Sequence, residues 1–167
     1  VSHTGVGGLT TGGGFGRVAR KFGLAIDNLA SVDVVTADGE LRHASATEHP
    51  DLFWGVRGGG GNFGIVTNFE FRLYPFQRQV IAGDLTFPIA RAKELLDFYG
   101  DYAQSAPDEL YLDFGMIKPP GNAEGFFTLS AVYAGNESGA TRALAPLRKL
   151  GMPLKDTIGP ADYQQVQ

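Results

Sequence analysis

The sequence predicts an α+β fold in two parts, and three observations support this. Glycine is concentrated early, with 15 of the 24 glycines in the first 64 residues. Short helical segments and alternating apolar strands follow one another there, which indicates an antiparallel sheet with short helices over residues 1–77. From a boundary near residues 76–78 the glycines thin out and the elements lengthen. Residues 78–167 then show the order β-α-β-β-α-β of a ferredoxin-like, split βαβ unit.

In the first part, each element has its own local signal. Gly23 is a helix stop, Asp38-Gly39 suits a tight hairpin turn, and Pro50 suits the first turn of a helix. One face of the last strand, from Ile65 through alternate residues to Leu73, is expected to be buried. The elements so predicted are a helix over 15–22, strands over 29–35 and 41–44, a helix over 50–56 and a strand over 65–74.

In the second part, strands and helices alternate with longer spacing. Ser138 is a candidate cap for its second helix, and Pro119-Pro120-Gly121-Asn122 reads as a turn between two strands. Its aromatic residues stand at core spacing, so we expect them to pack rather than to bind. The predicted elements are a strand over 80–87, a helix over 89–103, strands over 110–118 and 126–134, a helix over 138–150 and a strand over 152–158.

Composition excludes several classes of function. The chain has 167 residues and a net charge of −4 without charge blocks, which argues against a nucleic-acid partner. Its apolar runs are shorter than the about 20 residues that span a bilayer, so no membrane partner is expected. Without cysteine it has no disulfide, thiolate nucleophile or cysteine metal site, and no metal is expected.

Two glycine-rich segments carry the strongest chemical signal. We call residues 4–16 (TGVGGLTTGGGFG) the first glycine segment and residues 58–66 (GGGGNFGIV) the second glycine segment. Glycine is costly to order, and consecutive backbone N–H groups in such turns form concave sites for phosphate. The pair therefore indicates a large phosphate-bearing cofactor, and ligand-free tight turns are the alternative.

Two familiar phosphate motifs do not apply. Neither segment continues into the Gly-Lys-Ser/Thr of a P-loop. Residues 59–64 satisfy G-x-G-x-x-G, but a helix precedes them and a strand follows, which is the reverse of a Rossmann turn. An NAD site of that kind is excluded.

Four ordered motifs, residues 5–16, 20–29, 32–39 and 51–67, make the chain recognisable. It resembles the FAD-linked oxidases of the berberine-bridge-enzyme-like group in the vanillyl-alcohol-oxidase/PCMH flavoprotein superfamily. The resemblance implies that residues 1–77 are the second, PCMH-type, FAD-binding subdomain. It implies that residues 78–167 begin the substrate domain.

The resemblance also implies which residues contact the cofactor. The first glycine segment would lie along the flavin and ribityl-diphosphate, and the second would contact the adenosine, with main-chain groups around Val66 reading the adenine edge. The histidine that bonds covalently to the flavin would lie upstream of Val1. The expected FAD contacts are Val1, Thr4, Gly5, Gly7, Gly8, Leu9, Gly12, Gly13, Gly14, Gly16, Asn28, Gly61, Asn62, Gly64, Ile65 and Val66.

Two departures from the family pattern limit what is carried over. Some members attach the flavin a second time through a cysteine where this chain has Val1, so we expect at most one covalent link, made elsewhere. Several members have a histidine, for charge on reduced flavin, where this chain has Leu9. The family's catalytic groups come from parts that do not match, so the catalytic residues stay unknown.

For some other residues, the sequence allows two interpretations of the side chain's role. His3 is a cofactor neighbour or a loop hydrogen-bonding group, whereas His43 and His49 are expected to be exposed titrating groups. Arg57 offsets diphosphate charge or pairs with a surface carboxylate. Trp54 is expected to anchor the core or the packing of subdomains.

The predicted function is part of an FAD-dependent oxidoreductase that takes a hydride from an alcohol, sugar or amine carbon of a small molecule. A non-catalytic nucleotide-binding module and a cofactor-free scaffold are the alternatives. Val1 is not an initiator methionine and the chain ends in a helix-like stretch, so we expect an inactive fragment that self-associates. The compartment is not identified, and a cytoplasmic location is favoured.

Overall fold

A computed structural model of the chain describes residues 4–121 and 124–167. The expectations for Val1, His3 and Asn122 lie outside the described residues. The chain divides after Phe76 into two compact units.

The first unit is a three-stranded antiparallel sheet of order β2-β1-β3 with short helices. The core lies between the sheet and α3, where Val32 and Val34 are buried with Phe53 and Val56. Single turns of 3₁₀ helix cover Ala25–Asn28 and Gly60–Phe63. The elements are α1 (Val6–Thr11), α2 (Ala19–Phe22), β1 (Leu29–Val35), β2 (Leu41–Ser45), α3 (Pro50–Gly59) and β3 (Ile65–Phe71).

The first glycine segment is not the loop that the sequence suggested, because residues 6–11 form α1. The Thr11 hydroxyl donates to the Gly7 carbonyl at 3.1 Å, and Thr10 is fully buried. The predicted helix over 15–22 is shorter than expected, since α2 begins only at Ala19. It ends where predicted, at Gly23, whose φ is +80°.

Phe69 and Phe71 of β3 pack on the core as predicted, but a β-bulge changes which face is buried at the start of the strand. Asp33 pairs with Asn68 and Val34 with Val66, so Thr67 is left without a cross-strand partner. The extra residue reverses the alternation: Val66 packs on the core, whereas Ile65 is 72% exposed. Leu73 follows the strand and is 85% exposed, so the expected burial of both residues was wrong.

The second unit has the predicted ferredoxin-like arrangement. All its strand pairs are antiparallel, in the order β5-β6-β4-β7, and β8 also pairs with β4. The α+β fold class is confirmed. The elements are β4 (Gln79–Pro88), α4 (Ala92–Ser105), β5 (Leu110–Ile117), β6 (Phe126–Tyr133), α5 (Glu137–Arg148), β7 (Lys155–Asp156) and β8 (Gly159–Asp162).

One face of this second sheet forms the core with α4 and α5. Leu85 and Phe127 of the sheet are buried together with Leu95 of α4 and Leu144 of α5. Residues that alternate with these in the strands, such as Asp84 and Thr128, lie on the opposite face.

Two local predictions in this unit were wrong. The cap of α5 is Asn136, whose side-chain oxygen accepts from the Gly139 N–H at 2.8 Å, rather than Ser138. The strand expected over 152–158 is reduced to β7, Lys155–Asp156, and a separate strand, β8, begins at Gly159. The break follows from Gly83, where a Cβ atom would lie 2.3 Å from the Thr157 carbonyl oxygen, so the Thr157 backbone approaches β4 too closely for a regular ladder.

Candidate functional site

The first unit brings the two glycine segments side by side. Helix α1, inside the first segment, packs against α3 and against the 3₁₀ turn Gly60–Phe63 of the second segment. The candidate site is therefore one surface made of two pieces far apart in sequence, as a large cofactor would need.

Several of these glycines are required by the chain itself. A Cβ atom on Gly14 would lie 2.3 Å from the Ala25 Cβ, and one on Gly64 would lie 2.3 Å from the Val35 carbonyl oxygen. Both residues also have positive φ, +75° and +139°. Gly59 packs on the Phe63 ring, where a Cβ would come within 2.4 Å. The tight-turn alternative accounts for these positions.

Four other glycines have no such internal reason. Gly5, Gly8, Gly16 and Gly61 have no positive φ, and a Cβ atom built on any of them meets nothing within 4 Å. The fold has room for a side chain at each of these positions. Because glycine has none, the backbone there stays accessible to an external molecule. This pattern fits a cofactor that lies close to the main chain.

The exposed surface of α1 consists largely of glycine, together with the Val6 side chain, which is 62% exposed. Gly5, Gly8 and Leu9 stand at helical i, i+3, i+4 spacing and are exposed, with Leu9 at 40%. Thr4 and Gly12 are exposed beside them, while Gly7 faces inward, with its Cβ direction 3.4 Å from the Phe69 ring. Gly13 has φ +115° and directs its N–H to the Thr10 carbonyl.

The second segment offers main-chain groups rather than side chains. The Asn62 amide donates to the Gly59 carbonyl at 2.7 Å, which uses that side chain to hold the turn. Ile65 and Val66 begin β3, which is an edge strand of the described sheet. An edge strand keeps a row of unpaired N–H and C=O groups, the kind of surface expected to read an adenine edge.

Asn28 has a clear structural role. Its side-chain amide donates to the carbonyls of Phe22 and Leu24, at 2.8 and 2.9 Å. These hydrogen bonds connect the end of α2 to the start of β1. Its predicted contact with FAD stays a prediction.

Arg57 makes contacts that the sequence did not predict, and Trp54 is exposed rather than buried, while the diphosphate role of Arg57 and the subdomain-packing role of Trp54 stay predictions. The Arg57 Nε donates to the Ile26 carbonyl at 3.2 Å, and its guanidinium lies 5.2 Å from the centre of the Phe53 ring. It therefore joins α3 to the turn before β1. Trp54 is 78% exposed, so it is not part of the core.

A polar cluster that was not predicted from the sequence lies on the outer face of the first sheet. Neighbouring strands place the His43 Nδ1 2.8 Å from Asp33 Oδ1, and the Asn68 amide donates to Asp33 Oδ2 at 3.2 Å. The hydrogen bond from His43 lowers the pKa of Asp33, and the same contact raises the pKa of His43. Residues 33 and 43 stand at matching distances from the predicted hairpin turn, which is the signal that could have found them.

Two negative findings hold for residues 4–121 and 124–167. Within those residues no group of three or more His, Cys, Asp or Glu side chains could hold a metal ion. Helices long and apolar enough to cross a membrane are likewise absent from that part of the chain.

The first glycine segment lies in a part of the chain that is similar to known FAD-binding proteins. Residues 1–45 match the FAD binding domain family. An FAD-linked oxidoreductase of Dictyostelium discoideum is 36% identical over 169 residues, which cover 100% of this chain and 36% of the relative. The xylooligosaccharide oxidase of Thermothelomyces thermophilus is 40% identical over 152 residues, covering 87% of this chain and 29% of the relative.

Structural similarity to solved proteins agrees with this sequence similarity. The crystal structure of 6-hydroxy-D-nicotine oxidase from Arthrobacter nicotinovorans superimposes with a TM-score of 0.83 at 35% identity, over 95% of this chain and 35% of that one. The chain thus spans about a third of the length of the relatives that it matches.

Proposed function

Since this chain is related in sequence and fold to the FAD-linked oxidases of the berberine-bridge-enzyme-like group, as its motifs indicated, we propose that it forms one side of the FAD site of an oxidoreductase. The observation that carries the proposal is the set of four glycines whose backbone is open for no internal reason. FAD, when bound, supplies the acceptor for a hydride from the substrate.

The chain's own residues would bind and orient that cofactor. The glycine-rich outer side of α1, with Gly5 and Gly8, would lie along the flavin and diphosphate, and Gly61 with the β3 edge would hold the adenosine. Leu9, 40% exposed on the same side of α1, would shield the cofactor from water and offers no charge. A protein of this kind depends on other groups to stabilise reduced flavin.

We propose as substrate a small molecule that is oxidised at an alcohol, sugar or amine carbon. Support comes from the relatives, whose names include an oligosaccharide oxidase and a hydroxynicotine oxidase. Because the chain spans about a third of those proteins, we also propose that these 167 residues do not oxidise a substrate by themselves.

The test is FAD uptake by a longer protein that contains this segment, followed by its visible absorption spectrum after dialysis. A retained flavin spectrum that bleaches with substrate in a longer protein containing this segment supports the oxidoreductase. Retained flavin that no substrate bleaches favours a nucleotide-binding module. A protein that takes up no FAD would leave the cofactor-free scaffold.

Matched glycine variants sharpen the test. Gly8→Ala and Gly61→Ala should weaken FAD binding by about tenfold or more, because a methyl group would occupy the space of the cofactor. Gly100→Ala in α4 is the control, since Gly100 likewise has open space around its Cβ position. All three should keep the native circular dichroism spectrum. Equal FAD affinity in all three would contradict the proposed cradle.

A further inference from the structure

Arg57 lies at the point where hydrogen bonds join the two glycine segments. The Ile26 N–H donates to the Gly13 carbonyl of the first segment at 3.2 Å. The Ile26 carbonyl in turn accepts from the Arg57 Nε, also at 3.2 Å. Arg57 immediately precedes Gly58, the first residue of the second segment. A single residue, Ile26, thus connects the two segments, and the Arg57 guanidinium lies at this junction.

Two contacts hold the Arg57 guanidinium in place and leave most of its donors free. Its Nε is used by Ile26, and its central carbon lies 5.2 Å from the centre of the buried Phe53 ring. A guanidinium has five N–H donors, four of them on the two Nη atoms. Within residues 4–121 and 124–167, neither Nη atom has a hydrogen-bond partner. These four donors are therefore available to a ligand.

The positive charge of Arg57 is likewise without a partner in the described part of the chain. The sequence allowed an ion pair with a surface carboxylate, and within residues 4–121 and 124–167 there is none. Arg57 is partly buried, and a charge that is removed from water is costly unless an opposite charge compensates it. Other arginines of the chain do form ion pairs with carboxylates: Arg42, Arg78, Arg91 and Arg148. The unpaired guanidinium therefore favours an anionic ligand.

The position of Arg57 indicates which anion this is. In the proposed function, flavin and diphosphate lie along the first segment and adenosine lies at the second. The diphosphate is the part of FAD that joins these two halves, so a cofactor that spans both segments carries its negative charge towards their junction. The planar fork of N–H groups in arginine matches the oxygens of a phosphate, and such charge-assisted hydrogen bonds are about twice as strong as neutral ones.

We propose that Arg57 binds the diphosphate of FAD through its two Nη groups, while its Nε keeps the two glycine segments together. The inference rests on the proposed function and adds the residue that recognises the negative charge of the cofactor. The alternative is an arginine that only connects α3 to the turn before β1. The two differ in what happens when the charge is removed and a neutral N–H donor is kept.

The experiment compares adenosine with ADP, which differ only in the diphosphate group. Calorimetric titrations use a longer protein that contains this segment, prepared without flavin. The parent protein should bind ADP about tenfold or more tightly than adenosine, as is usual for hydrogen bonds to a charged group. Arg57→Gln should remove this difference and leave the affinity for adenosine unchanged. Added salt should weaken ADP binding in the parent more than in Arg57→Gln, because salt screens the charge.

Two further variants separate charge from structure. Arg57→Lys keeps the charge and should retain most of the preference for ADP. Arg42→Gln is the control, because it changes the net charge equally, but Arg42 is already paired with Asp38. The control should bind both ligands as the parent does. The proposal is overturned if the parent binds adenosine and ADP equally, if Arg57→Gln weakens both to the same extent, or if Arg57→Lys loses as much as Arg57→Gln.

FAD uptake by the same proteins shows which inference fails. Arg57→Gln should weaken FAD binding by about tenfold. If the parent and Arg57→Gln bind FAD equally well, the role of Arg57 is rejected and the proposed function stays intact. If the parent takes up no FAD, the proposed function is rejected, and the role of Arg57 is rejected with it.

Discussion

At the scale of single residues, the structure separates glycines that shape the chain from glycines that leave room beside it. Gly64 belongs to the first kind, because its φ of +139° and its distance to the Val35 carbonyl exclude a side chain. Gly8 belongs to the second. Spacing alone could not distinguish them, since both stand in equally glycine-rich sequence.

We therefore expect Gly64→Ala to lower the free energy of unfolding by about 1–3 kcal/mol or more, as is usual for strained backbone. Gly8→Ala should leave the free energy of unfolding nearly unchanged or raise it, because alanine stabilises a helix by about 1 kcal/mol relative to glycine. Urea denaturation followed by circular dichroism measures both. A Gly64→Ala protein as stable as the parent would refute the close approach to Val35.

The pair His43–Asp33 makes a prediction about pH. The raised pKa of His43 means that its contribution to stability is complete below its unfolded value of about 6.5 and is lost as pH rises through the folded value. The lowered pKa of Asp33 contributes above about 3.9 and is lost as pH falls through its folded value. The pair therefore contributes most between these limits, and only modestly because it is exposed.

NMR titration of the His43 ring checks this. Its pKa should lie above the usual value in the parent protein and return towards about 6.5 in Asp33→Asn. The same substitution should flatten the loss of stability between mildly acidic and mildly alkaline pH. An unchanged His43 titration in Asp33→Asn would show that the contact does not set the pKa.

At the scale of elements, the start of α5 shows how a cap is chosen. Asn136 Oδ1 accepts both the Gly139 N–H, at 2.8 Å, and the Ser138 hydroxyl, at 3.0 Å. Asn136→Ala should cost about 1 kcal/mol of stability, the usual value for an N-cap. Ser138→Ala, a matched control two residues away, should cost a few tenths of that, because the helix N–H keeps its partner. Equal losses in thermal denaturation would contradict the assignment of Asn136 as the cap.

Elements whose signals are local could be predicted, and those shaped by distant contacts could not. Strand β1 has the predicted bounds, because its three valines, Val32, Val34 and Val35, come just before the turn signal Asp38-Gly39. The bulge at Thr67 and the break after β7 both depend on a neighbouring strand, on Asp33 and Gly83 respectively. In the candidate site, the motif identified the two glycine segments, but which glycines face open space depends on how α1, α3 and β3 pack.

At the scale of the whole molecule, apolar surface predicts association. Trp54, Ile65 and Leu73 of the first unit are 78%, 72% and 85% exposed. Large apolar side chains at such exposure are usual at interfaces, and burying each against a partner contributes about 1.5–3 kcal/mol. We therefore expect the 167-residue chain to self-associate as its concentration rises.

Light scattering over a series of protein concentrations tests this expectation. The double variant Trp54→Ser, Ile65→Thr should shift association to a higher concentration, since it removes two of the three most exposed large apolar side chains among the described residues of the first unit. Met152→Thr in the second unit is the control: Met152 is 92% exposed but lies in a different unit, so its loss should leave association unchanged. If the parent chain scatters as a monomer at every concentration, the exposed side chains do not drive contact between copies. If Met152→Thr weakens self-association as much as the double variant does, association depends on apolar exposure in general rather than on the first unit.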